Sequence, residues 1–262
     1  MLGAIIGDIV GSRFEFHNTK NYDFELFHKD CSFTDDTICT VAIADTILSG
    51  GIEYLPQERN YRLDLQYWCK KYPIPMGAYG ANFSNWIHSS SPEPYGSYGN
   101  GAAMRVSPIG WAFANEDIVL RQAMMSAKVS HDHVEGMLGA AAVAVVINNL
   151  RFSKEKELLN LTACKFYGAE WESLIPRKGV WNETCQGCVP LAFKIVMQSD
   201  NFEDAIRRAV CYGGDSDTVG AIVGSIAEPL FGIPQEMIDK AYRYLTLDLR
   251  NVVDKFIDTY GK

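Results

Sequence analysis

Two short segments of the chain combine carboxylates with hydroxyls in a pattern that suits a divalent cation. The segments are FTDDT at 33–37 and YGGDSDT at 212–218. The residues that could bind the cation are Thr34, Asp35, Asp36, Asp215, Asp217 and Thr218. Each segment leads into an apolar stretch typical of a helix, and carboxylates at a helix start meet the positive end of its dipole. Crowded carboxylates raise each other's pKa unless a cation lies between them, and a divalent ion removes this conflict.

The donor atoms of these segments are all hard oxygens. Four aspartates and two threonines supply them, without a convincing set of histidine or cysteine ligands. Such donors favour Mg²⁺, Mn²⁺ or Ca²⁺ over Zn²⁺. Helix capping is the competing interpretation, because an Asp or Thr before an apolar helix is commonly only an N-cap. A double aspartate with a threonine beside it, occurring twice, favours a metal site.

Helices are predicted to position both segments. Residues 2–10 are apolar, and glycines at positions 3, 7 and 11 would share one helix face and admit another backbone. Asp8 lies inside this stretch, where a buried carboxylate needs a partner, either backbone or another group. Further helices are predicted at 38–48, from Asn115 towards Lys128, at 134–148, from Asn201 to about residue 212, at 218–227 and from Pro234 towards Ile257.

Strand signals are few, so we expect an all-α fold, a compact orthogonal helical bundle formed by residues 1–262 as a single domain. Small residues would lie where the central helices meet. Two long segments, 73–98 and 167–190, are predicted to be irregular, and long loops in a compact domain often carry function.

The composition is that of an ordinary globular protein. Of 262 residues, 47% are hydrophobic, and the formal net charge of −8 argues against a broad electrostatic grip on nucleic acid. The N-terminal stretch lacks a basic region before its apolar residues, so it does not resemble a signal peptide. The apolar run at 137–147 is too short to span a bilayer. Seven scattered cysteines suit free thiols, and we expect a cytoplasmic protein without membrane contact.

Five segments together resemble the motifs of the ADP-ribosylglycohydrolase family. They are GDIVGSRFE at 7–15, FTDDT at 33–37, GNGAAMRVSPIG at 99–110, Ser130-His131, and GGDSDTVGAIVGSIAEPLFGIP at 213–234. This family includes the hydrolase that removes ADP-ribose from dinitrogenase reductase and the eukaryotic ADP-ribosyl-acceptor hydrolases. The resemblance covers most of the chain and departs modestly at Ser130, where Thr is more usual.

The resemblance implies an all-α fold around a dinuclear metal centre that holds two divalent cations, Mg²⁺ or Mn²⁺. The implied metal ligands are Thr34, Asp35, Asp36, Asp215, Asp217 and Thr218. Glu15 would lie on a mobile segment over the site, and Glu15 or Asp35 would exchange protons during catalysis. The implied substrate-binding residues are Gly99, Asn100, Gly101, Met104 and His131.

The implied function is metal-dependent hydrolysis of the glycosidic bond between ADP-ribose and a modified acceptor. An ADP-ribosylated protein side chain such as arginine is the first candidate; serine, O-acetyl-ADP-ribose or a nucleic-acid base stay open. One alternative is a non-catalytic ADP-ribose-binding homologue, against which Glu15 and the full ligand set argue. Another is a metal-dependent nucleotide or phosphoester hydrolase, which the resemblance of residues 99–110 disfavours.

Other side chains could contact a nucleotide, although structural roles are more common for each. Arg105 could clamp a phosphate or make a structural ion pair. Tyr95, Tyr98 and Trp111 could stack on adenine or belong to the core. The single C-x-x-C at 185–188 lacks a second pair, which disfavours a zinc or redox site.

Overall fold

The computed structural model describes residues 1–50 and 55–261 as helices joined by loops. Those residues form two short 3₁₀ helices, Ser12–Phe14 and Trp171–Leu174, and fourteen α-helices. The α-helices are α1 (Leu2–Gly11), α2 (Asp35–Gly50), α3 (Glu58–Lys71), α4 (Ala81–His88), α5 (Gly101–Met104), α6 (Ser107–Ala112), α7 (Glu116–Lys128), α8 (Val134–Ser153), α9 (Glu157–Tyr167), α10 (Cys185–Gln198), α11 (Phe202–Tyr212), α12 (Ser216–Phe231), α13 (Gln235–Tyr242) and α14 (Leu247–Tyr260). Two isolated β-bridges are the only β-type pairing in the described residues, so the predicted all-α helical bundle is confirmed.

The core is built around apolar helices that are buried on most sides. Helix α8 packs against α7, α10 and α12, and α12 is buried along nearly its whole length. Among the described residues, α8 is the one helix long and apolar enough to cross a bilayer by composition, yet 67% of its apolar window is buried in the fold. Core packing therefore accounts for its apolar character.

Helices α1 and α12 approach each other so closely that only glycine fits at their crossing. A Cβ added to Gly7 would lie 1.9 Å from the carbonyl oxygen of Gly220. One added to Gly11 would lie 2.4 Å from the carbonyl oxygen of Ser216. The glycine spacing in the sequence correctly predicted this close approach, which we call the glycine seam.

Some helices form where the sequence predicted irregular structure. Helix α4 lies inside 73–98, and the segment 167–190 contains a 3₁₀ helix and the first turns of α10. Burial of Phe83 and Trp86 stabilises α4 despite its shortness. The predicted helix after Pro234 is divided into α13 and α14. The glycine pair at 50–51 indicates an end for the helix predicted at 38–48; α2 ends at Gly50, and Gly51 lies outside the described residues.

Replacing Gly7 by alanine is expected to destabilise the fold, because the added Cβ would overlap the Gly220 carbonyl and push α1 away from α12. We expect a loss of at least about 2 kcal/mol in unfolding free energy, measured as a lower urea midpoint. The matched control is Gly50→Ala, whose added Cβ would meet the Pro56 side chain at 3.9 Å. Equal midpoints for the two variants would contradict the seam.

Candidate active site

Three aspartates from three helices meet at the floor of the site. Asp8 of α1, Asp36 of α2 and Asp217 of α12 each have a carboxylate oxygen within 4.8 Å of the others. All three side chains are buried. The glycine seam brings α1 and α12 together here, since a Cβ added to Gly11 would lie 2.6 Å from the Cα of Asp217.

Asp8 organises the start of α2, a role that its place in the sequence did not reveal. Its Oδ2 accepts hydrogen bonds from the backbone N–H groups of Thr34 and Thr37, at 3.0 and 3.1 Å. Its Oδ1 accepts from the Thr34 hydroxyl at 2.8 Å. Asp8 therefore caps a helix other than its own. The available signal was a carboxylate in an apolar stretch, which required a partner.

Threonine hydroxyls connect the two predicted metal motifs across the floor. Thr218 donates to Asp36 Oδ2 at 3.1 Å, and the Thr34 hydroxyl lies 3.4 Å from the same oxygen. Asp36 Oδ1 and Asp217 Oδ1 are buried and have no hydrogen-bond partner among the described residues. Buried polar atoms are almost always paired in folded proteins, and a cation bound to these two oxygens would satisfy both.

Asp215 is held by the loop at 99–101, which we call the glycine-rich loop. It precedes α12 but makes no side-chain capping bond, which disfavours the capping interpretation at this position. Its Oδ2 instead accepts a hydrogen bond from the Asn100 side chain at 2.7 Å. Asn100 was predicted to bind substrate, and the structure shows that it also fixes this carboxylate.

Burial and mutual repulsion raise the pKa of the floor carboxylates. Burial is the larger cause for Asp35 and Asp36, followed by the charge of Asp8, and the pKa of each is well above its usual value. Burial also raises the pKa of Asp8 to about 6, although hydrogen bonds from the first metal motif oppose the shift. Oxygen donors, unpaired buried oxygens and crowded charge all fit a divalent cation of the Mg²⁺ and Mn²⁺ class.

Glu15 lies beside the floor, at the end of the first 3₁₀ helix. Its Oε2 is buried without a partner among the described residues. Burial, followed by the charges of Asp215 and Asp8, raises the pKa of Glu15 to about 7. Asn18 ties this segment to the start of α12, because its side chain donates to the carbonyl oxygens of Glu15 and Gly214 and accepts from the Gly214 N–H.

A cleft of about 420 Å³ opens above the floor, a volume that suits a nucleotide-sized ligand. Of the predicted site residues, those that line the cleft are Glu15, Asp35, Gly99, Asn100, Gly101, Met104, His131, Asp215, Asp217 and Thr218. The remaining two, Thr34 and Asp36, are buried behind its wall. The fold thus gathers into one place residues that are distant in the sequence.

The loop at 99–101 is fixed to the segment before α10. The Asn100 N–H donates to the carbonyl oxygen of Glu183 at 2.7 Å, and Gly99 pairs with Thr184 in an isolated bridge. A Cβ added to Gly101 would lie 3.1 Å from His131 Nε2. Glycine here leaves room for the histidine ring against the loop.

A buried arginine lies next to the Ser130–His131 pair. Arg105 donates to Ser130 Oγ at 2.9 Å and to the Ser126 carbonyl oxygen at 3.0 Å, so among the described residues it makes neutral hydrogen bonds in place of the structural ion pair considered from the sequence. Ser130 Oγ lies 2.8 Å from His131 Nδ1. Arg105 is a donor only, so among the described residues His131 Nδ1 is the acceptor within reach of the Ser130 proton, and we therefore assign the histidine proton to Nε2. Burial and the Arg105 charge lower the pKa of His131 well below its usual value, which keeps the ring neutral.

The aromatic lining differs in part from the set considered from the sequence. Tyr95 lines the cleft, whereas Tyr98 and Trp111 do not. Phe16 and Trp181 do line it, although no local pattern singled them out. Two exposed aromatics far apart in the chain carry no shared signal until the fold brings them together.

The two cysteines at the start of α10 are free, buried and bonded to loop backbone. Cys185 Sγ donates to the carbonyl oxygen of Gly99, and Cys188 Sγ to that of Asn182, both at 3.1 Å. Burial raises the pKa of both thiols, to about 12 for Cys185. These thiols therefore help to hold the loops that border the cleft.

Comparison with known proteins assigns this helical fold and its acidic cleft to a class of hydrolases. The family profile described as ADP-ribosylglycohydrolase matches residues 1–262. The chain therefore belongs to the ADP-ribosylglycohydrolase family.

Relatives and a solved structure agree with this assignment along the chain. An uncharacterized protein of Archaeoglobus fulgidus is 30% identical, over 91% of this chain and 89% of its own length. The ADP-ribosyl-dinitrogen reductase glycohydrolase of Rhodospirillum rubrum is 22% identical, over 99% of this chain and 95% of its own. A solved ADP-ribosylglycohydrolase-related protein complex, 22% identical, superposes with a TM-score of 0.75 over 98% of this chain and 95% of that chain, which supports the fold.

Removing one floor charge is expected to stabilise the metal-free protein at high pH. Burial, then the charges of Asp215 and Asp36, raises the pKa of Asp217 well above its usual value. The fold therefore binds this proton more tightly than the unfolded chain, and stability is lost as the pH rises above the unfolded value near 4. In EDTA at pH 8, Asp217→Asn should melt about 5 °C above the wild type, and the difference should shrink towards pH 4.

Divalent cations should reverse the order of the melting temperatures of the wild type and Asp217→Asn. At pH 8, millimolar Mg²⁺ or Mn²⁺ should raise the melting temperature of the wild type more than that of Asp217→Asn, because the cation binds the ionised carboxylates. Asp117→Asn is the matched control, since Asp117 is an exposed acid in the first turn of α7. If both variants behaved alike in EDTA and in Mg²⁺, the floor would not be a site of charge repulsion.

His131 is expected to remain neutral, with its proton on Nε2, between pH 5 and pH 8. Imidazole ¹⁵N NMR should show a protonated Nε2 and an unprotonated Nδ1 over this range, since Ser130 donates to Nδ1. Ser130→Ala should remove this preference and give a mixture of tautomers. A charged ring near pH 6 in the wild type would contradict the assignment.

Proposed function

We propose that the protein hydrolyses the glycosidic bond that joins ADP-ribose to a modified acceptor, with ADP-ribosylated arginine as the first candidate. The observation that carries the proposal is the cleft, in which paired Asp and Thr motifs with unpaired buried oxygens face a glycine-rich loop. Family membership supports the reaction class. The Rhodospirillum relative is named for a modified protein as its substrate, which supports a protein acceptor.

We propose that the floor holds two divalent cations, Mg²⁺ or Mn²⁺. The ligands would be Thr34, Asp35, Asp36, Asp215, Asp217 and Thr218, with Asp8 as a further buried carboxylate beside them. When bound, the cations supply positive charge that neutralises the floor and helps to activate water and orient ribose hydroxyls. The crowding of carboxylates without any cationic side chain among them supports this assignment.

Glu15 and Asp35 are the proposed proton-transfer groups. Glycosidic cleavage has an oxocarbenium-like transition state, so carboxylates beside the anomeric carbon stabilise the developing positive charge. A pKa of about 7 means that Glu15 can both accept and release a proton near neutral pH. In this scheme Glu15 takes a proton from the attacking water and returns it to the departing acceptor nitrogen as the bond to ribose breaks, so the water supplies both the new hydroxyl of ribose and the proton on the nitrogen, and Glu15 ends ionised as it began.

The loop at 99–101, Met104 and His131 are proposed to bind the ADP-ribose moiety. Loop glycines allow close backbone approach, and successive N–H groups can bind diphosphate oxygens. The neutral His131 offers its Nε2–H as a donor to a ligand oxygen or nitrogen. Residues 1–262 would act as one domain, and seven free cysteines suit the proposed cytoplasmic location.

Purified wild-type protein is expected to release intact ADP-ribose from ADP-ribosyl-arginine peptides in Mg²⁺ or Mn²⁺, and EDTA should abolish the release. Asp36→Asn should lower kcat/KM at least about 100-fold, because it removes a buried charge from the proposed ligand set. Asp117→Asn should retain wild-type activity. Products are followed by mass spectrometry, which separates ADP-ribose from AMP.

Two outcomes would each replace the proposal with a named alternative. Release of AMP, together with activity on a substrate whose glycosidic link is non-cleavable, would identify a phosphoester hydrolase. Metal-dependent binding of ADP-ribose without turnover of arginine, serine or O-acetyl substrates would identify a non-catalytic binding protein.

A further inference from the structure

Two exposed aromatic rings stack at one end of the cleft. Phe16 and Trp181 have ring centroids 5.7 Å apart and planes inclined by 14°. They are 65% and 42% exposed, and both line the cleft. Single exposed aromatics are common on protein surfaces, but a stacked pair at the mouth of a polar cleft presents an apolar, π-rich face to whatever enters.

The backbone on both sides of this pair is anchored. The Gly179 N–H donates to the carbonyl oxygen of Tyr212 at 2.8 Å, and the Glu183 carbonyl oxygen accepts from Asn100 at 2.7 Å, so the segment that carries Trp181 is tied at both ends. On the other side, the Asn18 side chain donates to the carbonyl oxygens of Glu15 and Gly214, which ties the segment that carries Phe16 to the start of α12. The rings are therefore presented by fixed segments.

One carboxylate lies directly beside the aromatic pair. Trp181 Nε1 donates to Glu183, which also lines the cleft. This end of the cleft therefore combines π faces with negative charge.

A second group of cleft-lining residues has a different character. Among the described lining residues, Arg105 is the only arginine or lysine, and it lies beside Phe83 and the Ser130–His131 pair. Tyr95 also packs near the His131 ring, at 5.8 Å between centroids. A nucleotide base therefore has aromatic neighbours there.

The Phe16–Trp181 pair lies beside the proposed reacting groups, because Phe16 follows Glu15 and a Cβ added to Gly214, next to Asp215, would lie 3.7 Å from the Trp181 Cα. We therefore assign the pair to the acceptor.

We propose that Phe16, Trp181 and Glu183 form an acceptor subsite that recognises a planar cation, the guanidinium of an ADP-ribosylated arginine. This inference rests on the proposed function and adds the residues that select the acceptor. A guanidinium stacks flat on aromatic faces and pairs with carboxylates, whereas a serine hydroxyl does neither. The subsite contacts the acceptor and leaves ADP-ribose itself to the other end of the cleft.

The first test compares ADP-ribosyl-arginine and ADP-ribosyl-serine peptides. Trp181→Ala should raise KM for the arginine peptide about five- to tenfold with kcat nearly unchanged, since a stacked cation contact is lost. Trp181→Phe should keep most of the affinity. Glu183→Gln retains an acceptor for the Trp181 N–H but loses the charge, so KM should rise and depend less on salt.

Product inhibition separates the two ends of the cleft. The inhibition constant of free ADP-ribose should be the same in Trp181→Ala and the wild type. Phe152→Ala is the matched control, because Phe152 is an exposed aromatic residue outside the cleft lining. A parallel loss of ADP-ribose affinity would overturn the proposal and assign the pair to the nucleotide. Cleavage of the serine peptide in preference to the arginine peptide would overturn it while leaving the hydrolase function intact.

A second measurement does not depend on turnover. Saturation-transfer NMR should detect N-ethylguanidinium bound to the wild type and not to Trp181→Ala, while ethylammonium, a cation without a planar face, should bind more weakly to both. Equal binding of the two cations, or no effect of Trp181→Ala, would overturn the subsite even if the enzyme is active. A protein that binds N-ethylguanidinium but cleaves no ADP-ribosyl substrate would retain the subsite and lose the proposed function.

Discussion

The close contact of α1 with α12 is the constraint on which the site depends. Gly7 and Gly11 allow the two backbones to meet, and this contact carries Asp8 to within reach of Asp217. A Cβ at either glycine would overlap the backbone of α12, so α1 would have to move away from α12 and carry Asp8 with it. Asp8 then reaches across to the first turn of α2, so one crossing of two helices sets the position of a third.

The loops that border the cleft are joined to one another as well as to the helices. Asn18 connects the Glu15 segment to Gly214, and Asn100 connects the glycine-rich loop to Asp215. Side-chain amides suit this task, because each can donate and accept at once. The bordering loops are therefore joined by side-chain hydrogen bonds. Displacing one loop would strain the hydrogen bonds that it makes with the next.

Sequence patterns predicted the features of this protein that depend on residues close together in the chain. Glycines four residues apart predicted the glycine seam. Asn115 predicted the start of α7, which its side chain caps. They did not predict the roles of Asp8 and Trp181, since each acts through partners that lie far away in the chain. Motif resemblance supplied ten of the residues that line the cleft, fewer than half of the lining. Residues whose contacts lie far away in the chain became visible only when the helices were assembled.

The Arg105–Ser130–His131 chain has a consequence for recognition at the glycine-rich loop. Arg105 can only donate, and the Ser130 hydroxyl has a single proton, for which His131 Nδ1 is the acceptor within reach among the described residues; this assigns the histidine proton to Nε2. Whatever atom rests against that nitrogen must offer a lone pair. Selectivity at this point is set by hydrogen-bond polarity, independent of net charge, and is built into the protein before any ligand arrives.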